Sequence, residues 1–147
     1  MEKFLAVIPA RGGSKRIPRK NVRNFAGKPI ITYSIQAAVE SGCFAEVMVS
    51  TDDKEIAQIS EQYGAKIPFF RSEQNSDDYS TIADVIVEVL ESYEKIGTKF
   101  EYFCCLLPTA PFVTAKRLKE GLALIQSSGA DSVVPVTRFG YPIQRAL

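Results

Sequence analysis

The sequence contains no histidine. That removes every Ser–His and Cys–His nucleophilic arrangement and every histidine-based zinc site. Cysteine is scarce as well: Cys43, Cys104 and Cys105 are an odd number, with one adjacent pair and no CxxC spacing. Such a set builds neither a disulfide framework nor a structural zinc site, and we read all three as reduced core thiols of a cytoplasmic protein. No apolar run approaches the length of a bilayer span, and the opening residues run straight into a short apolar strand rather than a signal peptide. Two familiar phosphate-binding loops are also missing. There is no G-x-x-x-x-G-K-[ST] and no G-x-G-x-x-G.

What is present fits one globular domain. The chain has 147 residues, 46% of them apolar and 24% charged, enough for a single buried core. The formal net charge of +1 hides an uneven distribution. From Arg11 to Lys28 there are seven basic residues and no acidic one, while the remainder has 11 basic and 17 acidic residues. A concentration of one sign in so short a stretch flags a local anion site. It is confined to one loop, with no aromatic stacking platform beside it, so we do not expect a nucleic-acid partner.

Periodicity along the chain predicts an α/β fold with a mainly parallel sheet. Apolar runs at 4–9, 46–50, 66–70, 100–107 and 131–137 read as buried strands. Helical spacing of apolar residues covers 29–41, 53–63, 80–96 and 114–127. Pro29 fits a first helical turn, Asp52 and Ser80 stand where N-caps belong, and Gly42, Gly64 and Gly129 fit helix stops. The order is β-α-β-α-β-α-β-α-β, which stacks helices on both faces of a Rossmann-like sheet in a three-layer αβα arrangement. The last residues, 138–147, carry no cap or charged tail and read as a chain interrupted in mid-fold.

In open α/β sheets ligands gather at the carboxyl ends of strands. The first loop so placed is PARGGSKRIPRKN at 9–21. Gly12 and Gly13 allow a tight bend whose N–H groups could face phosphate oxygens. Arg11 offers a planar fork of donors, and Lys15 and Lys20 movable point charges. Pro18 stiffens the far side. The adjacent Asp77 and Asp78 look metal-like on paper, but we read them as part of a solvated loop.

The run IPARGGSKRIPRKN (8–21), followed by FAGKPI (25–30), closely resembles the N-terminal signature of the acylneuraminate cytidylyltransferases. VSTD (49–52), RSE with Ser76 and Asp77, and LPTAP (107–111) resemble that family's later blocks in the same order. Within the family, CCLLPTAPF (104–112) and FGYPIQRAL (139–147) look most like the pseudaminic acid branch. Leu107 stands where many sialic-acid enzymes carry glutamine, which favours a more deoxygenated sugar.

The resemblance implies a sheet of the nucleotide-diphospho-sugar transferase type and a reaction between CTP and an acidic nine-carbon sugar. The sugar's anomeric hydroxyl would attack the α-phosphorus, releasing pyrophosphate. Arg11 and Lys20 would be catalytic; Arg11, Gly12, Gly13, Lys15, Lys20, Asn21, Arg71, Ser80 and Thr81 would meet the nucleotide. Gln144 and Arg145 would meet the sugar. The resemblance also implies Mg²⁺ with ligands downstream of residue 147, a homodimer, and 1–147 as the N-terminal portion of one nucleotidyltransferase domain. Alternatives within the class are sialic acid or deoxyoctulosonate as substrate; outside it, a nucleotide-binding module without turnover.

Overall fold

A computed structural model describes residues 3–140. Its centre is a parallel sheet of three strands in the order β4-β1-β5, namely Glu46–Ser50, Phe4–Pro9 and Tyr102–Cys105. β1 is paired on both sides, with Leu5 opposite Glu46 and Phe103, which accounts for its unbroken apolar run.

Alternation along these strands divides the core in two. Ala6, Ile8, Val47, Val49 and Leu106 face one side, where they meet α1 (Ile31–Ser41), α2 (Lys54–Gln62) and α4 (Ala115–Ser128) through Ile31, Ile35, Ile56 and Leu118. Leu5, Val7 and Met48 face the other side and pack on Ile86, Val89 and Tyr93 of α3 (Ile82–Lys95). The result is the three-layer α/β architecture expected, because every second strand residue points to the opposite helix layer. Among the described residues no helix is long and apolar enough to cross a membrane.

Several local expectations are corrected. Pro29 does not open α1; it belongs to a two-strand ribbon, β2 (Asn24–Phe25) with β3 (Lys28–Pro29). Ala26 and Gly27 turn that ribbon at φ 48° and 96°, both left-handed, as a tight hairpin of this hand requires. Asn24 Oδ1 accepts the Gly27 N–H at 3.0 Å and holds the turn. The expected strand at 66–70 reduces to a single parallel bridge between Lys66 and Met48. The expected strand at 131–137 does not form: its backbone joins no ladder, and Val134 and Val136 are exposed, so neither hydrogen bonding nor burial fixes it.

The helix caps shift by one residue. Asp53, not Asp52, caps α2, accepting the Glu55 and Ile56 N–H groups at 3.0 Å each. Thr81, not Ser80, caps α3, and its box is closed by Asp84 reaching back to the Thr81 N–H at 2.8 Å. Only the residue whose backbone leaves the helix in extended geometry can cap, and that is Asp53 at φ −115° and Thr81 at φ −80°.

Candidate functional site

The loop that follows β1 lies at the carboxyl edge of the sheet, where strand order turns outward on either side of β1. Ala10 is still tied to the sheet, its N–H donating to Ser50 O at 2.9 Å. Beyond it the chain is held from three directions. The Gly12 N–H donates to Asp52 Oδ1 at 2.8 Å. Asn21, 3% exposed, donates through Nδ2 to the Arg11 carbonyl at 3.0 Å. Arg19 forks onto Asp53 and also meets Glu55. That ion pair holds the Asp53 carboxyl below its ordinary range and outweighs the opposing effect of burial.

The two glycines differ. A side-chain carbon on Gly12 would sit 2.7 Å from Asp53 Oδ2, whereas one on Gly13 would meet nothing within 4 Å. Neither takes the left-handed backbone. Gly12 is therefore required by close approach to the start of α2, and its N–H is already taken by Asp52.

The seven cations of this stretch divide into those held by the fold and those left to solvent. Arg19 is held by α2, and Lys28 bonds Gln36 while lying 4.2 Å above the Tyr33 ring. Arg11 lies 2.9 Å from Asp78 and also donates to the Asp77 carbonyl; Lys15 pairs with the same Asp78. Arg16, Lys20 and Arg23 form no ion pair among the described residues.

The segment that supplies Asp78 runs from Ser72 to Ser80 and is braced on α3. Glu88 accepts the Ser72 N–H at 2.8 Å, the Ser72 hydroxyl at 3.1 Å and the Asn75 amide. Within it, Asp77 accepts the N–H groups of Tyr79 and Ser80 and the Ser80 hydroxyl, at 2.9, 2.7 and 2.6 Å. Those bonds lower the Asp77 carboxyl pKa, and Lys15 does the same for Asp78.

Arg71 is not a surface residue. It is 8% exposed, and its guanidinium donates to Ser50 Oγ at 3.0 Å and to Ser50 O at 2.6 Å. Burial pushes its pKa down. Thus Arg11, Gly12, Lys15, Arg71 and Ser80 are brought into one neighbourhood around the ends of β1 and β4. Lys20 is exposed in the turn Lys20–Val22, and Thr81 is engaged as a cap. Gln144 and Arg145 lie outside the described residues, as does the apolar trio Tyr141, Pro142 and Ile143.

Sequence reasoning did not single out Asp52, Asp53 or Arg19 as builders of this loop. The Asp-Asp pair directly after the second strand was the available signal. Among the described residues no three carboxylate, thiol or imidazole groups converge on a point that could hold a metal ion. These residues therefore do not fit a magnesium centre on their own.

The family described as Cytidylyltransferase matches residues 5–139. Pseudaminic acid cytidylyltransferase of Campylobacter jejuni subsp. jejuni serotype O:2 is 46% identical over 144 residues, 98% of this chain and 62% of that protein. CMP-N,N'-diacetyllegionaminic acid synthase of Legionella pneumophila subsp. pneumophila is 41% identical over 135 residues, covering 92% and 58%. Among solved structures, CMP:2-keto-3-deoxy-manno-octonic acid synthetase complexed with CTP aligns at a TM-score of 0.72 and 28% identity, over 88% of this chain and 49% of that one. The chain spans about three-fifths of the length of these curated relatives.

Proposed function

Since this chain belongs to the cytidylyltransferase family, we propose that it forms the nucleotide-binding part of an enzyme that joins CMP, from CTP, to a nonulosonic acid. The favoured sugar is pseudaminic acid. The observation that carries the reading is the convergence of Arg11 and Lys15 on one anionic group at the carboxyl edge of the sheet. Two cations that share a carboxylate are spaced to share a phosphate as well.

In the proposed reaction the nucleophile is the sugar's anomeric hydroxyl, so the protein needs none of its own. Catalysis is positioning and charge neutralisation on the phosphate oxygens. Arg11, Lys15 and Lys20 do that work, and Asn21 positions Arg11 through its carbonyl. The Asn21 Oδ1 atom is buried with no hydrogen-bond partner among the described residues, so its contact with the nucleotide requires the loop to open around it. Arg71, Ser80 and Thr81 lie toward the cytidine side, with Gln144 and Arg145 assigned to the sugar. Magnesium supplies charge neutralisation in such transfers; its ligands we assign to sequence downstream of residue 147. We also propose a cytoplasmic homodimer.

CTP binding by this chain is tested by calorimetry against ATP and GTP. A site that reads a pyrimidine edge leaves polar groups unpaired with the wrong base, so CTP binds best. Pyrophosphate release from CTP with pseudaminic acid, N-acetylneuraminate and deoxyoctulosonate then identifies the sugar. Equal binding of all three nucleotides would overturn the proposal.

A further inference from the structure

The basic loop has its own internal anion. Asp78 meets Arg11 at 2.9 Å and pairs with Lys15, while the neighbouring Asp77 carbonyl takes a second Arg11 donor. The two adjacent aspartates play different parts. The Asp77 carboxylate is turned back into its own segment, where it orders Tyr79 and Ser80. Asp78 alone faces the cations. Its segment is braced by three bonds to Glu88 of α3, so the carboxylate is presented from a structured arm and not from a loose tail.

We infer that Asp78 is a tethered stand-in for a phosphate group, which closes the basic loop until a polyphosphate displaces it. This rests on the phosphate-binding reading of Arg11 and Lys15 given above. Without a counter-anion, Arg11 and Lys15 would face each other as like charges. Asp78 relieves that repulsion in the unliganded protein. Its side chain and that of Arg11 are about one-third exposed, and that of Lys15 far more so. A pair open to water to that degree is weak enough for a ligand to break. Because the carboxylate is attached to the same chain, it competes at a high effective concentration. A lone orthophosphate, offering no more than one group to both cations, competes poorly. A triphosphate offers several and wins. The contact therefore acts as a threshold that screens out small anions.

The test is calorimetric titration of this chain with inorganic tripolyphosphate and, separately, with orthophosphate. Asp78→Asn removes the internal competitor and keeps the shape. It should tighten tripolyphosphate binding by roughly 2- to 10-fold, and make orthophosphate binding measurable. Glu73→Gln deletes one charge from the same segment at an exposed position outside the ion pairs, and should stay within about twofold of wild type. No gain in Asp78→Asn, or an equal gain in Glu73→Gln, overturns the inference. Arg11→Ala separates this from the wider reading. If it weakens tripolyphosphate binding while Asp78→Asn changes nothing, the phosphate loop stands and the Asp78 closure falls. If Arg11→Ala binds like wild type, both fall.

Discussion

The guanidinium of Arg19 lies 2.5 and 3.2 Å from the two carboxylate oxygens of Asp53, and one of those oxygens also caps α2. Next to it in sequence, Lys20 is exposed and forms no ion pair among the described residues. Adjacent cations of the same loop thus differ in kind: one ties the loop to the fold, the other is open to a ligand. Arg19→Ala should lower stability by about 0.5–1.5 kcal/mol, the range of a partly exposed pair together with a weakened cap. Because the Asp53 carboxyl is depressed in the folded state, its contribution is present above its unfolded pKa and is lost as pH falls through the folded value. The gap between wild type and Arg19→Ala is therefore full at neutral pH and shrinks in acid, below about pH 4. Thermal melts at the two pH values check this. Lys20→Ala should leave the melt unchanged and weaken CTP binding by about 1–3 kcal/mol.

Gly12 and Gly13 give a matched pair of substitutions. In Gly12→Ala the new methyl would stand 2.7 Å from Asp53 Oδ2 and 2.9 Å from its Cβ. Asp53 cannot yield easily, since Arg19 and two helix N–H groups hold it. The loop must move instead, and the Gly12 bond to Asp52 goes with it. A loss of about 1–3 kcal/mol in stability, as for overpacking, is expected, with weaker CTP binding. Gly13→Ala meets open space and should behave as wild type in both assays. Equal behaviour of the two variants would refute the close-approach argument.

The frame of the fold was legible in the sequence because buried parallel strands write themselves as apolar runs. Phe4–Pro9 and Glu46–Ser50 have the same limits in both readings. Gly42 and Gly129 end α1 and α4 at φ 63° and 64°, a conformation open to glycine. The segment 131–137 has the same apolar signature as those strands, but composition cannot state whether a neighbouring edge is there to pair with it. Caps were misplaced by one residue because Asp52 and Asp53, or Ser80 and Thr81, are chemically alike. Backbone geometry alone decides between them. The candidate site was half legible. Seven cations without an acid implied an anion, but that Asp78, 67 residues from Arg11, provides one in the free protein is a fact of tertiary structure.

Cys104 and Cys105 should react slowly in the folded protein. Burial pushes the Cys104 thiol up to about 11 and raises that of Cys105. Reaction with iodoacetamide requires thiolate, so at pH 8 both residues should label far more slowly in the native protein than in denaturant, as read by peptide mass spectrometry. Native labelling at the denatured rate would mean that β5 is not packed as described.

Arg71 brings the structural and the functional readings into direct competition. Its guanidinium binds Ser50 at the end of β4, through Oγ and the carbonyl, and its own N–H donates to Thr51 O at 2.9 Å. The Ser50 carbonyl also accepts the Ala10 N–H, so Arg71 links the last residue of β4, two before Asp52, to the start of the basic loop. Arg71→Ala removes two hydrogen bonds and leaves a void under the site, which should lower stability by about 1–3 kcal/mol. Lysine cannot present two donors in one plane, so Arg71→Lys should recover only part of that loss. If the residue instead serves mainly as a nucleotide contact, both variants would melt like wild type and lose CTP affinity alone. We expect the opposite order: a clear fall in melting temperature for both, and a smaller effect on CTP binding than in Lys20→Ala, measured in the same buffer by calorimetry. The distinction rests on burial. A guanidinium withdrawn from water is costly unless its donors are taken up, and here the groups that take them belong to the fold.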